Sequence, residues 1–312
     1  MAKFLKVVLS VFGILLIFNF VLRKLIEYKG VSRFMRYNEP ALSVDKQHYT
    51  YLITGDSHAN DCWRYGDKRE DLLDFSFPGD NYIDIKRKLI YLESKGVTFD
   101  YHLMEIDQQV FSTYRENTNN NDLSMYYEKA PQVLHLRGYF PLFFNPRVWY
   151  DITGLFNNNI EEELSNEETV VDTSSMQARA ETQFLDEEFS NKMAEDFDKV
   201  LALNIELGAK PVFLKYPFYP SYSELIADSE VKVQADSLLE AKLNIINEVI
   251  VLNFEGVICD PNSFYNQDHI NARGSSLVSE RVFGCIEENN CILTGCLDRV
   301  GQVEEESVSD NN

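Results

Sequence analysis

From residue 47 onward, short apolar runs alternate with longer amphipathic stretches. The runs at 49–54, 72–77, 99–106, 211–216 and 249–254 have strand length and lack a regular polar face, as expected of strands buried on both sides. Between them, the segments at 83–94, 185–207, 238–247 and 276–286 repeat apolar residues at helical spacing. Gly96 and Gly208 stand where a helix must stop before the next strand, and Lys95 and Lys210 suit the same boundaries. Strand and helix in alternation predict an α/β fold, a three-layer, doubly wound, parallel five-stranded sheet. The main domain spans about 47–290.

The segment 112–182 breaks this rhythm. It is rich in Asn, Glu and aromatics without a clear period, and it reads as a loop-rich insertion over the strand ends. Tyr126, Tyr127, Tyr139, Phe140, Phe143, Phe144, Trp149 and Tyr150 read more readily as the core of that insertion than as a substrate groove.

A different pattern opens the chain. Residues 4–22 are apolar apart from Lys6, Ser10 and Asn19, and the run ends at Arg23 and Lys24. That length matches one transmembrane helix. No small-residue cleavage site follows, so the expectation is an uncleaved signal anchor within 1–30. It would make the chain a single-pass protein of the bacterial inner membrane. Arg23, Lys24, Lys29, Arg33 and Arg36 beyond the run, read by the positive-inside rule, place the globular domain in the cytoplasm.

Charge narrows the partners. Twenty-nine basic residues against fifty acidic ones give −21, which repels phosphates and argues against nucleic acid. Much of the acid is local, in 161–168 and in the tail 291–312, and reads as solvated loop and terminus. The five cysteines match no zinc or redox spacing. An oxidising compartment would allow a disulfide among them, and the odd count leaves one thiol over unless it pairs between chains. Nothing in the sequence suggests a metal or an organic cofactor.

Chemistry concentrates in two places. Gly55, Asp56 and Ser57 end the first strand, and in an open parallel sheet ligands bind at the carboxyl ends of strands. A serine hydroxyl needs a base to act as nucleophile. Of the five histidines, His48 precedes the first strand, His102 lies within a strand, His135 lies in the insertion and His58 adjoins the serine. His269 remains, in a polar loop between the last strand and the last helix, at the same sheet edge as Ser57. Cys62 and Trp63, on the helix that Ser57 opens, read as packing.

Gly55-Asp56-Ser57, Gly79 after the second strand, Pro217 to Tyr222 and the phrase from Phe264 to Gly274 together resemble the SGNH (GDSL-like) hydrolases and acyltransferases, over roughly 47–290. The nearest in style are membrane-anchored bacterial members that esterify or de-esterify cell-surface polysaccharides, which implies an extracytoplasmic domain. The resemblance implies a serine esterase or O-acyltransferase acting on an acyl ester of a surface glycan, with Ser57 as nucleophile and His269 as base. It also implies an oxyanion hole from Ser57, Gly79 and a third donor. Where the family has that asparagine, this chain reads Glu105, Ile106, Asp107, Gln108, and Gln108 is the residue there able to donate. The family's orienting acid falls at Asn266, with Asp268 and Asp260 as alternative carboxylates. These departures suit an alternative role, a weakened relative that binds glycan or scaffolds an envelope assembly.

Overall fold

The computed structural model describes residues 2–37, 41, 43–66, 69–124, 127, 171, 173–243 and 249–288. The chain divides into two compact units, Met1–Ser43 with Asp122–Ser165, and Val44–Asn121 with Asn166–Asn312.

The first unit contains helix α1, Ala2–Tyr37. The apolar run at 4–22 lies within it, and Phe4, Leu9, Ile14 and Ile17 are exposed. Among the described residues, however, no helix is long and apolar enough to cross a membrane. The helix runs on past the apolar stretch into the charged one that begins at Arg23 and Lys24. The expected transmembrane helix is therefore corrected, and with it the single-pass placement in the bacterial inner membrane. The aromatics expected to form the insertion's core lie outside the described residues except Tyr127, which is buried. The acidic tail lies outside them as well.

The second unit is a parallel sheet of β1 His48–Thr54, β2 Leu72–Asp74, β3 Thr98–Glu105, β4 Lys210–Lys215 and β5 Ile250–Asn253. The strand order is β2-β1-β3-β4-β5. All four pairings are parallel, with Ile53 opposite Leu103 and Leu103 opposite Val212. In this order the chain reverses its winding between β1 and β3, so a crevice opens beyond the carboxyl ends of those two strands.

The helices cover both faces. α2 Ser57–Tyr65 starts directly after β1, and α3 Tyr82–Ser94 carries a reciprocal cap between Asn81 and Asp84. α4 Met176–Ala180 runs into a π turn, Glu181–Leu185. α5 Asn191–Glu206 is capped by Ser190, which is why the helix expected from 185 begins later. α6 Pro220–Ile226, with proline in its first turn, was not anticipated. α7 Glu230–Leu243 and α8 Ala272–Glu288 complete the set.

Alternation along the strands sorts the core into two layers. Tyr51, Ile53, Leu103, Val212 and Leu214 face Ala59, Cys62 and Trp63 of α2 and Val278, Val282 and Phe283 of α8. On the opposite face Phe213 meets Phe197 of α5, which meets Tyr82 of α3. His102 and Lys88, two polar groups in this core, are partnered. His102 bonds Thr54 Oγ1 and Asn204 Oδ1, both at 2.7 Å, and burial pushes its pKa down to about 4, so it is a neutral structural histidine. Lys88 is fully buried, with its ammonium 2.5 Å from Asp80 and also bonded to the Phe75 carbonyl. Cys259 and Cys285 are disulfide-bonded, and Cys62 is the free buried cysteine among the described residues.

Candidate active site

β1 delivers Gly55, Asp56 and Ser57 to the crevice, and the turn there admits only glycine. Gly55 has φ +154°, and a Cβ on it would lie 2.7 Å from both Ala59 Cβ and Glu105 Oε2. Asp56 then caps α2 by accepting from the His58 N–H at 2.8 Å. Its own N–H donates to Glu105 Oε2 at 2.7 Å, and its carboxylate pairs with Arg115. Ser57, the first residue of α2, is partly exposed. The Phe77 N–H donates to the Gly55 carbonyl at 3.1 Å, which brings the turn containing Gly79, at φ +89°, to the same strand edge.

The loop after β5 carries the candidate base, His269. Asn266 Oδ1 accepts from the N–H groups of Asp268 and His269 at 3.0 and 2.9 Å and lies 3.1 Å from His269 Nδ1. Asp268 Oδ1 lies 2.9 Å from the same Nδ1. Two acceptors around one ring nitrogen place the proton on Nδ1 and leave the Nε2 lone pair available. Nε2 makes no hydrogen bond among the described residues. Asp61 Oδ2 stands 3.9 Å away and accepts from the Tyr265 hydroxyl at 2.6 Å, while the Tyr265 ring stacks on the imidazole. Thus the structure brings Asn266, Asp268 and His269 together as one unit. No described hydrogen bond joins them to Ser57.

Asp268 is buried. Its Oδ2 accepts from Arg179 Nε at 2.7 Å and from Gln183 Nε2 at 3.1 Å. Burial alone raises its pKa, but the adjacent His269, its hydrogen bond and the nearby His58 hold the carboxyl well below the usual range. It is therefore an ionised carboxylate in contact with the base.

Three residues behave differently from their sequence-based expectation. His58, set aside as a mere neighbour of the serine, is buried in the middle of the site. Its Nδ1 lies 2.6 Å from Asp107 Oδ2, its Nε2 lies 3.7 Å from Asp268 Oδ2, and its ring meets His269 edge-on at 4.8 Å. Burial lowers its pKa, yet the hydrogen bond to Asp107, the nearby Asp268 and the surrounding carboxylates outweigh this and push it up to about 10. Asp107, standing where a donor asparagine was expected, accepts with both oxygens, from His58 and from the Tyr216 N–H at 2.7 Å. Gln108, the expected third oxyanion donor, turns its amide to Asp236 at 3.1 Å and Glu255 at 3.3 Å. Gln109 instead donates its amide N–H to Asp56 Oδ2 at 3.3 Å and lies beside the His58 ring.

Arg115, Arg179 and Gln183 come from segments whose sequence lacks a period. Only the spatial arrangement reveals them. Glu105 is fully buried, and burial together with Asp107 pushes its pKa well above the carboxylate range. Two triplets, His58 with Asp268 and His269, and Asp56 with His58 and Glu105, are close enough to surround a cation. Arg179 and Arg115 already compensate Asp268 and Asp56, so these donor sets do not fit a resident metal.

No protein-family model matches this chain, and no curated protein matches it. Among solved structures, a Bacteroides fragilis protein described as a "putative acylhydrolase" is similar, with a TM-score of 0.40 and 8% identity over 82% of this chain and 96% of that one. At that TM-score the likeness carries no argument about mechanism.

Proposed function

We propose that this protein is a serine acyl-ester hydrolase or O-acyltransferase in which Ser57 is the nucleophile and His269 the base. The observation that carries the reading is the state of His269. Its Nδ1 is held by Asn266 and an ionised Asp268 while Nε2 stays without a hydrogen bond, at the sheet edge where Ser57 opens α2.

Ser57 Oγ attacks the acyl carbonyl as His269 Nε2 takes its proton, and a tetrahedral oxyanion forms. Backbone N–H groups of Ser57 and Gly79 are its donors in this reading. His269 then returns the proton to the departing alkoxide as the C–O bond breaks. The acyl group passes from Ser57 to water, or to a hydroxyl acceptor in the transfer case. Asp268 offsets the imidazolium charge, a task that Asn266 alone cannot perform. The resemblance of the loop 264–274 to its SGNH counterpart suggests an acyl ester of a glycan as substrate.

Asp107 favours a second reading. With both oxygens accepting, it withholds the third oxyanion donor, as suits a chain that binds such esters without cleaving them. The test is covalent labelling of the full chain by a fluorophosphonate, beside Ser57→Ala and His269→Gln. Labelling of wild type that both substitutions abolish supports catalysis. Folded wild type that stays unlabelled supports binding alone.

A further inference from the structure

Ser57 and His269 account for a nucleophile and a base, but not for the second imidazole buried beside His269. His58 is almost completely buried, a costly place for a titratable ring unless its partners use it. Its two nitrogens face two carboxylates. Asp107 Oδ2 lies 2.6 Å from Nδ1, and Asp268 Oδ2 lies 3.7 Å from Nε2. Asp268 in turn lies 2.9 Å from His269 Nδ1. The groups therefore alternate along a line: Asp107, His58, Asp268, His269.

We infer that Asp107 and His58 form a second aspartate–imidazole pair stacked behind Asp268 and His269, and that both are positioning residues for the base. The inference rests on the catalytic reading above and extends it.

The surrounding charges support the assignment. From β1 and α2 come Asp56 and Asp61; from the end of β3, Glu105 and Asp107; from α4 and the helix Thr113–Asn117, Arg179 and Arg115. Asp56 is paired with Arg115 and Asp268 with Arg179, and burial pushes the Glu105 carboxyl well above its usual range, which favours its uncharged form. The remaining buried anion beside His58 is Asp107, which His58 neutralises as an imidazolium, in keeping with its raised pKa. Tyr216 locks Asp107 from behind through its N–H, and Phe218 closes the ring in edge-on at 5.6 Å. His58 thus presents a fixed positive charge to Asp268 and stands 4.8 Å, ring to ring, from His269.

His58 faces the Asp268 carboxylate, which in turn holds His269 Nδ1, so it fixes the direction in which the imidazole presents Nε2. In folded His58→Gln, fluorophosphonate labelling of Ser57 should slow roughly 10-fold to 100-fold at pH 7. The loss should fall on the labelling step and leave the reagent's saturation constant unchanged. A merely structural histidine would move both together, and a folded variant that labels at the wild-type rate overturns the inference.

Asp107→Asn keeps the ring and removes its acceptor, which provides a second route should His58→Gln fail to fold. Nitrogen-15 NMR of the imidazoles in wild type should show His58 protonated at pH 8.5 and deprotonated in Asp107→Asn. A His58 already neutral at pH 8.5 in wild type overturns the assignment. This readout needs no activity, so it separates failure of the inference from failure of the catalytic reading, which an unlabelled wild-type Ser57 would signal.

Discussion

Gly274→Ala adds one methyl group in the first turn of α8, and the structure gives that methyl nowhere to go. Its Cβ would lie 2.4 Å from the Ser263 carbonyl oxygen, 2.9 Å from Ile270 Cβ and 3.1 Å from Ile270 Cγ2. To reach even a 3.0 Å contact with the carbonyl, helix and loop must separate by about 0.6 Å. The Ser263 carbonyl cannot retreat freely, because the Asn271 N–H donates to it at 3.0 Å. Ile270 is likewise bridged to Phe264. The displacement therefore enters the loop that holds Asn266, Asp268 and His269. Overpacking of this kind costs about 1–3 kcal/mol, against which alanine returns up to about 1 kcal/mol of helix propensity. A net loss of about 1–2 kcal/mol should appear as a lower urea midpoint. Because the base moves with the loop, Ser57 labelling should slow about 10-fold to 100-fold. Gly284→Ala, in the same helix with nothing within 4 Å of the new methyl, should leave labelling intact and stabilise by about 0.5–1 kcal/mol. A Gly274→Ala protein that keeps the wild-type midpoint and labelling rate would refute the reasoning.

Lys88→Met strands Asp80 in the core. Urea unfolding at pH 8 should show a loss of about 3–5 kcal/mol. The loss should shrink at pH 5.5, since Asp80, whose carboxyl burial already pushes up to about 7, can then bind a proton; an equal loss at both pH values would contradict this. His58 makes stability itself pH-dependent. Its folded pKa is raised, so its contribution is complete below about 6.5 and fades as pH climbs toward 10. Between pH 7 and 8.5 the unfolding free energy should fall by about 2 kcal/mol, and His58→Gln should flatten that slope. Cys62 is buried, and burial raises its thiol well above the usual range. Ellman's reagent should reach it only after unfolding, so rapid modification of the native protein would contradict its placement.

The sheet was legible in the sequence because its central strands, β1, β3 and β4, are buried on both faces toward their carboxyl ends. Runs such as Tyr51-Leu52-Ile53 and Val212-Phe213-Leu214 have no polar positions to confuse strand with surface helix. Helix ends were legible where one residue type decides them, as at Gly96 and Gly208, both with positive φ. The apolar run at 4–22 shows the converse, since length and composition alone suggested a span that the described helices do not support. At the site, Ser57 and His269 could be singled out because nucleophile and base are rare residue types at fixed points of the topology. His58 could not, because adjacency along the chain says nothing about which way a ring turns at the start of a helix. Arg115 and Arg179 sit in segments without a period, and only the fold brings them beside Asp56 and Asp268. Gln108 and Gln109 are neighbours of identical type in the first turn after β3, and their divergent directions depend on Asp236, Glu255 and Asp56, all distant in sequence.

α8 closes the second unit by docking on α2. Its Ser275 hydroxyl donates to the Cys62 carbonyl, and its Phe283 ring packs 5.4 Å from Trp63. Ser57 begins the very helix on which this last segment settles. More than two hundred residues separate Ser57 from His269, so at ribosomal rates of about 5–20 residues per second the serine waits roughly 10–40 s for its base. On the proposed function, the growing chain carries only an ordinary alcohol throughout that interval, and a chain cut short before the histidine loop should take no fluorophosphonate label.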